Sequence, residues 1–289
     1  MLISIVIVNF NTKEITSRCV DSFLYNRVDG NNIEIIIVDN ASTDGSGHYF
    51  QEKYFQKENI KIILNEKNFG FGLANNMGVS IARGHYIVFA NSDTYVEGFD
   101  FKNLIACFEE KENIGALSCK ILYPNASIQT LGYNFPSLWN DFLLNALFWN
   151  YKFAKKVRYR KYENKGLFER DWISGCFFMC KKEIYQQVNG FDPDIFMYAE
   201  DLDICARFFA LGSRNYVYDK EQIYHLHGQS SINSKVNFKK MLIGKKNYYY
   251  VMRKNKLVKW PGIIYLMHLI HIVGLFLFKR IMQILLNKN

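Results

Sequence analysis

Ile33-Glu34-Ile35-Ile36-Ile37-Val38-Asp39-Asn40-Ala41-Ser42-Thr43-Asp44-Gly45-Ser46 is the stretch on which the fold turns. Residues 33–38 form a short run rich in Ile, the signature of a strand buried on both faces in a parallel sheet. At Asp39 the chain turns polar, with the Asn, Ser, Asp and Gly of turns and helix caps. Working outward, residues 2–8, 60–64 and 86–90 are further short apolar runs. Helical patterns lie between them: Ile15, Cys19 and Phe23 recur every fourth residue, as do Leu73, Met77 and Ile81, and residues 46–57 form a more polar amphipathic segment. Strand-helix alternation of this kind predicts an α/β fold with a doubly wound, mainly parallel sheet.

In such sheets ligands bind beyond the carboxyl ends of the strands, so the residues that end each run matter most. They are Asn9-Phe10-Asn11-Thr12, then Asp39 to Ser46, then Asn65 to Asn68 with Gly70 and Gly72, then Asn91-Ser92-Asp93. Any one of these loops reads equally as turn and cap architecture. Four on one rim make a nucleotide-sized site. Asp39, directly after a buried run, is placed to accept from a base N–H or a ribose hydroxyl, and Asn9 to Thr12 divides between cap and contact. No GxGxxG follows the first run, which argues against a nicotinamide or flavin site. Gly70 to Gly78 is glycine-rich but lacks the Lys-Ser/Thr of a P-loop. The phosphates therefore need another counter-charge, and a divalent ion on a carboxylate such as Asp93 would supply it.

A second polar concentration lies at residues 191–207, where Asp192, Asp194, Glu200, Asp201 and Asp203 lead into a helical pattern of Leu202, Cys205, Ala206 and Phe209 that Gly212 stops. Acidic residues are favoured at a helix start by the dipole alone. Five carboxylates cannot all be buried as anions without partners, so they must meet water, a cation or a substrate hydroxyl. A general base would sit here.

With 289 residues, 49% of them hydrophobic, the chain can hold one large α/β domain with appendages. Six cysteines without a CxxC pair, and an opening apolar run too short for a secretory signal, fit a reducing, cytoplasmic setting. The net charge of +9 is uneven: after Glu221 there is no Asp or Glu but 12 Lys and Arg, leaving the body near −3 and the tail near +12. Pro261 to Phe278 carries no charge over 18 residues, the lower edge of a membrane span, and Gly262, His268, His271 and Gly274 weaken it. The expectation is a helix lying in the interface of an anionic membrane surface, with a helical pair docked on the body as the alternative. Basic-aromatic tails also bind nucleic acid, but the long uncharged segment sides with lipid. The basic run Lys152, Lys155, Lys156, Arg158, Arg160 and Lys161 reads as a solvated segment or an acceptor-phosphate contact.

Taken together, Val8 to Asn11, Val38 to Ser46, Asn68 to Gly72, Asn91 to Asp93 and Gly190 to Asp203 resemble, in order and spacing, the family 2 inverting glycosyltransferases of GT-A fold, over about residues 3–231. The likeness is nearest to bacterial rhamnosyltransferase-like members. It implies a domain over 1–232, with a Rossmann-like nucleotide-sugar half at 1–95 and an acceptor and catalytic half at 96–232, followed by a membrane-associating tail at 233–289. On this resemblance Asp39 reads the nucleobase, Asn9 and Asn11 line the nucleoside pocket, and Asn68, Asn91 and Ser92 lie on the donor side. Asp93 matches the last carboxylate of the family's DxD motif, a ligand of Mg2+ or Mn2+, and His225 matches a histidine near the metal or diphosphate, with His227 as its alternate. Asp201 matches the base, with Glu200 orienting it or binding acceptor, and Gly175 would allow close approach of the acceptor region.

One departure is Asn91, where the motif has Asp, which should weaken cation affinity. The resemblance implies transfer of one sugar from a UDP- or dTDP-sugar, dTDP-rhamnose among them, to a hydroxyl of a lipid-diphosphate-linked glycan in bacterial surface polysaccharide (O-antigen or capsule), at the cytoplasmic face of the plasma membrane. A processive synthase would carry several spans and a QxxRW motif. An idle nucleotide-sugar-binding scaffold and a nucleotidyltransferase remain as rivals.

Overall fold

The computed structural model describes residues 2–25, 33–139, 162, 164–226 and 238–286. The first four runs form strands β1 (Ile3–Asn9), β2 (Ile33–Asp39), β3 (Ile60–Leu64) and β4 (Tyr86–Asn91), joined by helices α1 (Lys13–Tyr25), α2 (Ser46–Lys53) and α3 (Gly70–Ser80). They pair in parallel in the order β3-β2-β1-β4. All seven residues of β2 are buried. Alternate residues serve opposite faces: Ile3, Ile5 and Ile7 pack with Phe23 of α1 and Phe50 of α2, whereas Val6 and Val38 pack with Ala74 and Val79 of α3. Both faces of β1, β2 and β4 are covered, which is why those runs are mostly apolar rather than alternating, whereas β3 at the sheet edge is half-exposed and carries Lys61.

Beyond β4 the sheet becomes mixed. After the two-residue strand β5 (Thr94–Tyr95) and helix α4 (Phe101–Glu110) come β6 (Ile114–Leu122), β7 (Ile128–Thr130), β8 (Leu167–Arg170) and β9 (Phe177–Lys181). Helices α5 (Lys182–Gln187) and α6 (Glu200–Ala210) and strand β10 (Arg214–His225) follow. β9 joins β4 antiparallel, β6 lies next to it, and β10 runs parallel to β6 before pairing antiparallel with β5. The sheet expected to be mainly parallel is thus wholly parallel in its first half and mixed in its second, where β6 with β10 is the parallel pair. α6 ends in a Schellman turn: Ser213 N–H donates to Phe208 C=O and Gly212 N–H to Phe209 C=O, with Gly212 at φ 88°.

The tail forms the helical pair expected as the alternative: helix α7 (Phe238–Lys254) is docked on the body, with Val251 and Met252 fully buried, and α8 (Pro261–Leu286) packs on α7. The charge count missed this because Lys254 turns inward onto carboxylates of the body. Among the described residues no helix is long and apolar enough to cross a membrane. His227 and the basic run at 152–161 lie outside the described residues.

Candidate active site

The strand register sets Asn9 beside Asp39 and Val8 beside Asn91, so the polar strand ends meet on one rim. Asp39 is buried, its Oδ1 accepting from Asn9 Nδ2 at 2.6 Å and its Oδ2 from the Ser42 N–H at 3.2 Å. Asn9 is fully buried and fully committed: its amide nitrogen also reaches Ser42 Oγ at 2.9 Å, and its oxygen accepts from Thr16 Oγ1 at 2.6 Å and Thr12 Oγ1 at 3.0 Å. Its amide thereby orients the Asp39 carboxylate. Asn11 is exposed at φ 54°, a left-handed position that Asn tolerates, and accepts from the Thr43 N–H at 2.7 Å. Asn68 Oδ1 caps the start of α3 through the Gly70 N–H at 2.9 Å and accepts from Asn40 Nδ2 at 2.8 Å.

At the far side of the rim, β5 and β10 do what sequence distance hides. Their pairing sets Thr94 opposite His225, and Leu226 N–H donates to Asp93 C=O at 2.9 Å. His225 Nε2 thereby lies 3.0 Å from Asp93 Oδ1, while its Nδ1 meets the Gln129 amide at 3.0 Å. Burial disfavours the imidazolium, but the neighbouring Cys176 sulfur and Asp93 carboxylate outweigh it and push His225 up to about 10. Among the described residues no cluster of three or more His, Cys, Asp or Glu side chains is set to hold a metal ion, and the Asp93–His225 contact is a hydrogen bond. Ser92 Oγ accepts from Thr12 Oγ1 at 3.3 Å, and the Asn91 N–H donates to Cys176 C=O at 2.9 Å.

The Cys176 link leads to the acidic run. Gly175 N–H donates to Asp201 Oδ2 at 3.0 Å, and Leu202 N–H to Oδ1 at 2.9 Å. A Cβ on Gly175 would sit 3.2 Å from the Asp201 Cβ, so the close approach needs the glycine. Tyr198 and Ala199, at φ 73° and 70°, place two consecutive non-glycine residues in the left-handed region directly before Glu200. Such positions cost on the order of 1–3 kcal/mol each and cluster at functional sites. Glu200 Oε2 is buried without a hydrogen-bond partner. Burial, then the adjacent Asp201 charge, push Glu200 up to about 8; burial also raises Asp201, while its two backbone donors hold it down.

Of the other three carboxylates of the run, Asp194 is exposed, with the Tyr250 hydroxyl at 3.4 Å, and the remaining two are paired with cations. Asp203, fully buried, accepts from Arg207 Nε at 2.8 Å, Lys254 Nζ at 2.9 Å and Asn255 Nδ2 at 2.9 Å. Asp192 accepts from the same Lys254 at 2.5 Å and from Tyr250 OH at 3.1 Å. Lys254, Asn255, Gln129 and Cys176 were not singled out by sequence, because each acquires its partner only through tertiary pairing.

The Glycosyl transferase family 2 profile matches residues 4–204. GlyG, a glycosyltransferase of Streptococcus pneumoniae, is 35% identical over 111 residues, covering 38% of this chain and 36% of its own. The rhamnosyltransferase WbbL of Escherichia coli is 28% identical over 171 residues, 55% of this chain and 62% of its own. The chain thus spans about a third of GlyG and under two thirds of WbbL. A structure of GalNAc-T7 with UDP, GalNAc and Mn2+ superposes on 88% of this chain and 48% of its own at TM-score 0.64 and 16% identity, a likeness of fold. With the family segment spanning both the donor rim and the start of α6, the chain belongs to glycosyl transferase family 2.

Proposed function

We propose that this chain is a non-processive, inverting glycosyltransferase that moves one sugar from a UDP- or dTDP-sugar, dTDP-rhamnose among the candidates, to a hydroxyl of a lipid-diphosphate-linked glycan of a bacterial surface polysaccharide. The observation that carries the reading is the Glu200–Asp201 pair, which meets no cation among the described residues and is tied through Gly175 and Cys176 to Asn91 on the donor rim. Asp39, buried and aimed by Asn9, accepts from the base. Asp201 takes the proton of the acceptor hydroxyl as that oxygen attacks the anomeric carbon opposite the nucleotide, and the bond to the diphosphate breaks with its electron pair leaving on the diphosphate. Glu200, carrying its proton near neutral pH, donates to the acceptor and fixes its approach. Asp93 and His225 would hold Mg2+ or Mn2+, which offsets the charge that develops on the leaving group. The Mn2+ in the GalNAc-T7 structure supports the metal, and the WbbL match supports a rhamnosyl donor. A tail near +12 supports work at the cytoplasmic face of an anionic membrane.

The test is thermal stability of the purified chain against nucleotide sugars with and without Mn2+. A ligand bound only to the folded state at a hundred times its Kd stabilises by about 2.7 kcal/mol. The expected result is a shift with one UDP- or dTDP-sugar that requires Mn2+ and disappears in Asp93→Ala. No shift with any donor would overturn the donor assignment.

A further inference from the structure

Helix α8 is apolar on two faces, and the fold uses only one. Ile264, His268 and Ile272, four residues apart, are buried toward α7, where Tyr265 stacks on Tyr249 at 4.8 Å and His268 meets Tyr248 at 5.5 Å. Ile263, Leu266, Ile270 and Val273, spaced three, four and three, form the other stripe, and Trp260 precedes it. These five are between 49% and 63% exposed. A helix face meant for water carries charge, yet no charged residue falls between Trp260 and Val273. The charges lie at its ends: Lys256 and Lys259 before it, with the Lys259 ammonium 5.5 Å over the Trp260 ring, and Lys279 and Arg280 after it in sequence.

We propose that this outer stripe of α8 is the docking surface for an anionic lipid bilayer, lying in the boundary between headgroups and acyl chains with the flanking cations on lipid phosphates. Charge complementarity selects the occupant. No carboxylate follows Glu221, so an acidic surface is matched everywhere along the tail, whereas a second copy would bring another tail near +12 against it. The docking deepens the proposed function and rests on it for its use. α8 lies on α7, and α7 touches the loop that leads into Glu200: Asn247 Nδ2 donates to Met197 C=O at 2.8 Å, and a Cβ on Gly244 would lie 3.6 Å from that of Tyr198. One helix layer, about 8–10 Å between axes, separates the lipid-facing helix from that loop. A lipid-linked acceptor reaches the base without leaving the surface.

The experiment is co-sedimentation of the full chain with phosphatidylcholine vesicles, alone or with about one-third phosphatidylglycerol. Binding is expected only with the anionic vesicles and should weaken in high salt. The double variant Leu266→Asp/Ile270→Asp should lower the partition by at least about tenfold. Lys256→Glu/Lys259→Glu, which touches no apolar residue, should lower it as well. No partition of the unaltered chain, or partition unchanged in both variants, overturns the proposal. So does light scattering that shows a dimer which Leu266→Asp/Ile270→Asp splits, since a second copy would then cover the stripe. Donor-induced thermal shifts on the same samples keep the two readings apart. Vesicle binding without any donor shift would sink the transferase reading alone, and a donor shift without vesicle binding the docking alone.

Discussion

Within one run of twelve residues, two pairs of carboxylates meet opposite fates. Asp192 and Asp203 are met by Lys254, with Arg207 added at Asp203, and every contact is to a fixed side chain or backbone group of the protein. Among the described residues, Glu200 and Asp201 have only backbone N–H groups as donors, and one Glu200 oxygen has none. The first pair is neutralised and structural. The second is desolvated, and its protons are held more tightly than in water. A helix dipole alone would treat Glu200, Asp201 and Asp203 alike, so it is the supply of cations among the described residues that separates Asp203 from the other two.

The sharpest way to break this contrast is Asp201→Asn. Transfer should fall by about a thousandfold while donor-induced stabilisation and the melting temperature stay near those of the unaltered protein. Full transfer in that variant with an intact fold would end the assignment of Asp201 as base. On the paired side, Arg207→Met should instead cost about 3–5 kcal/mol of stability in urea unfolding, because it strips a buried carboxylate of its closest cation.

Glu200 gives the contrast a pH axis. Its proton is bound more tightly in the folded chain, up to about 8, than in an ordinary carboxyl group, at about 4.5. The folded state is therefore favoured fully below about 4.5, loses that advantage as pH rises, and has lost it above about 8. Glu200→Gln should flatten this slope between those limits in melts followed against pH. The smallest expected effect is Lys254→Met, about 1–2 kcal/mol of stability, since Arg207 and Asn255 remain on Asp203. A loss as large as that of Arg207→Met would make the tail helix the main support of the acidic run.

The four parallel strands were legible from their Ile- and Val-rich runs, which burial on both faces explains for β1, β2 and β4; β3 is a half-exposed edge strand. The later strands were not. β10, Arg214–His225, alternates buried and half-exposed residues with Lys220 in its midst, and nothing local tells it to pair with β5 more than a hundred residues earlier. Asp39 was legible as a polar residue ending a buried run; its dependence on Asn9 was not, because the two are 30 residues apart. Asp93 with His225, and Asp201 as base, came from the likeness of motifs. Lys254 was read with its neighbours as a lipid-facing cation, since counting charge cannot say which one turns inward.

The span from Asp203 to Lys254 has a consequence for biosynthesis. Chains grow at about 5–20 residues per second, so the 51 residues between the two take about 3–10 s to make. During that interval the nascent domain holds most of its sheet and the whole acidic run, but not the ammonium that two of its carboxylates share. The acidic run is thus completed only when α7 arrives, and a ribosome stalled before codon 254 would carry a domain whose Asp192 and Asp203 are still short of one positive charge.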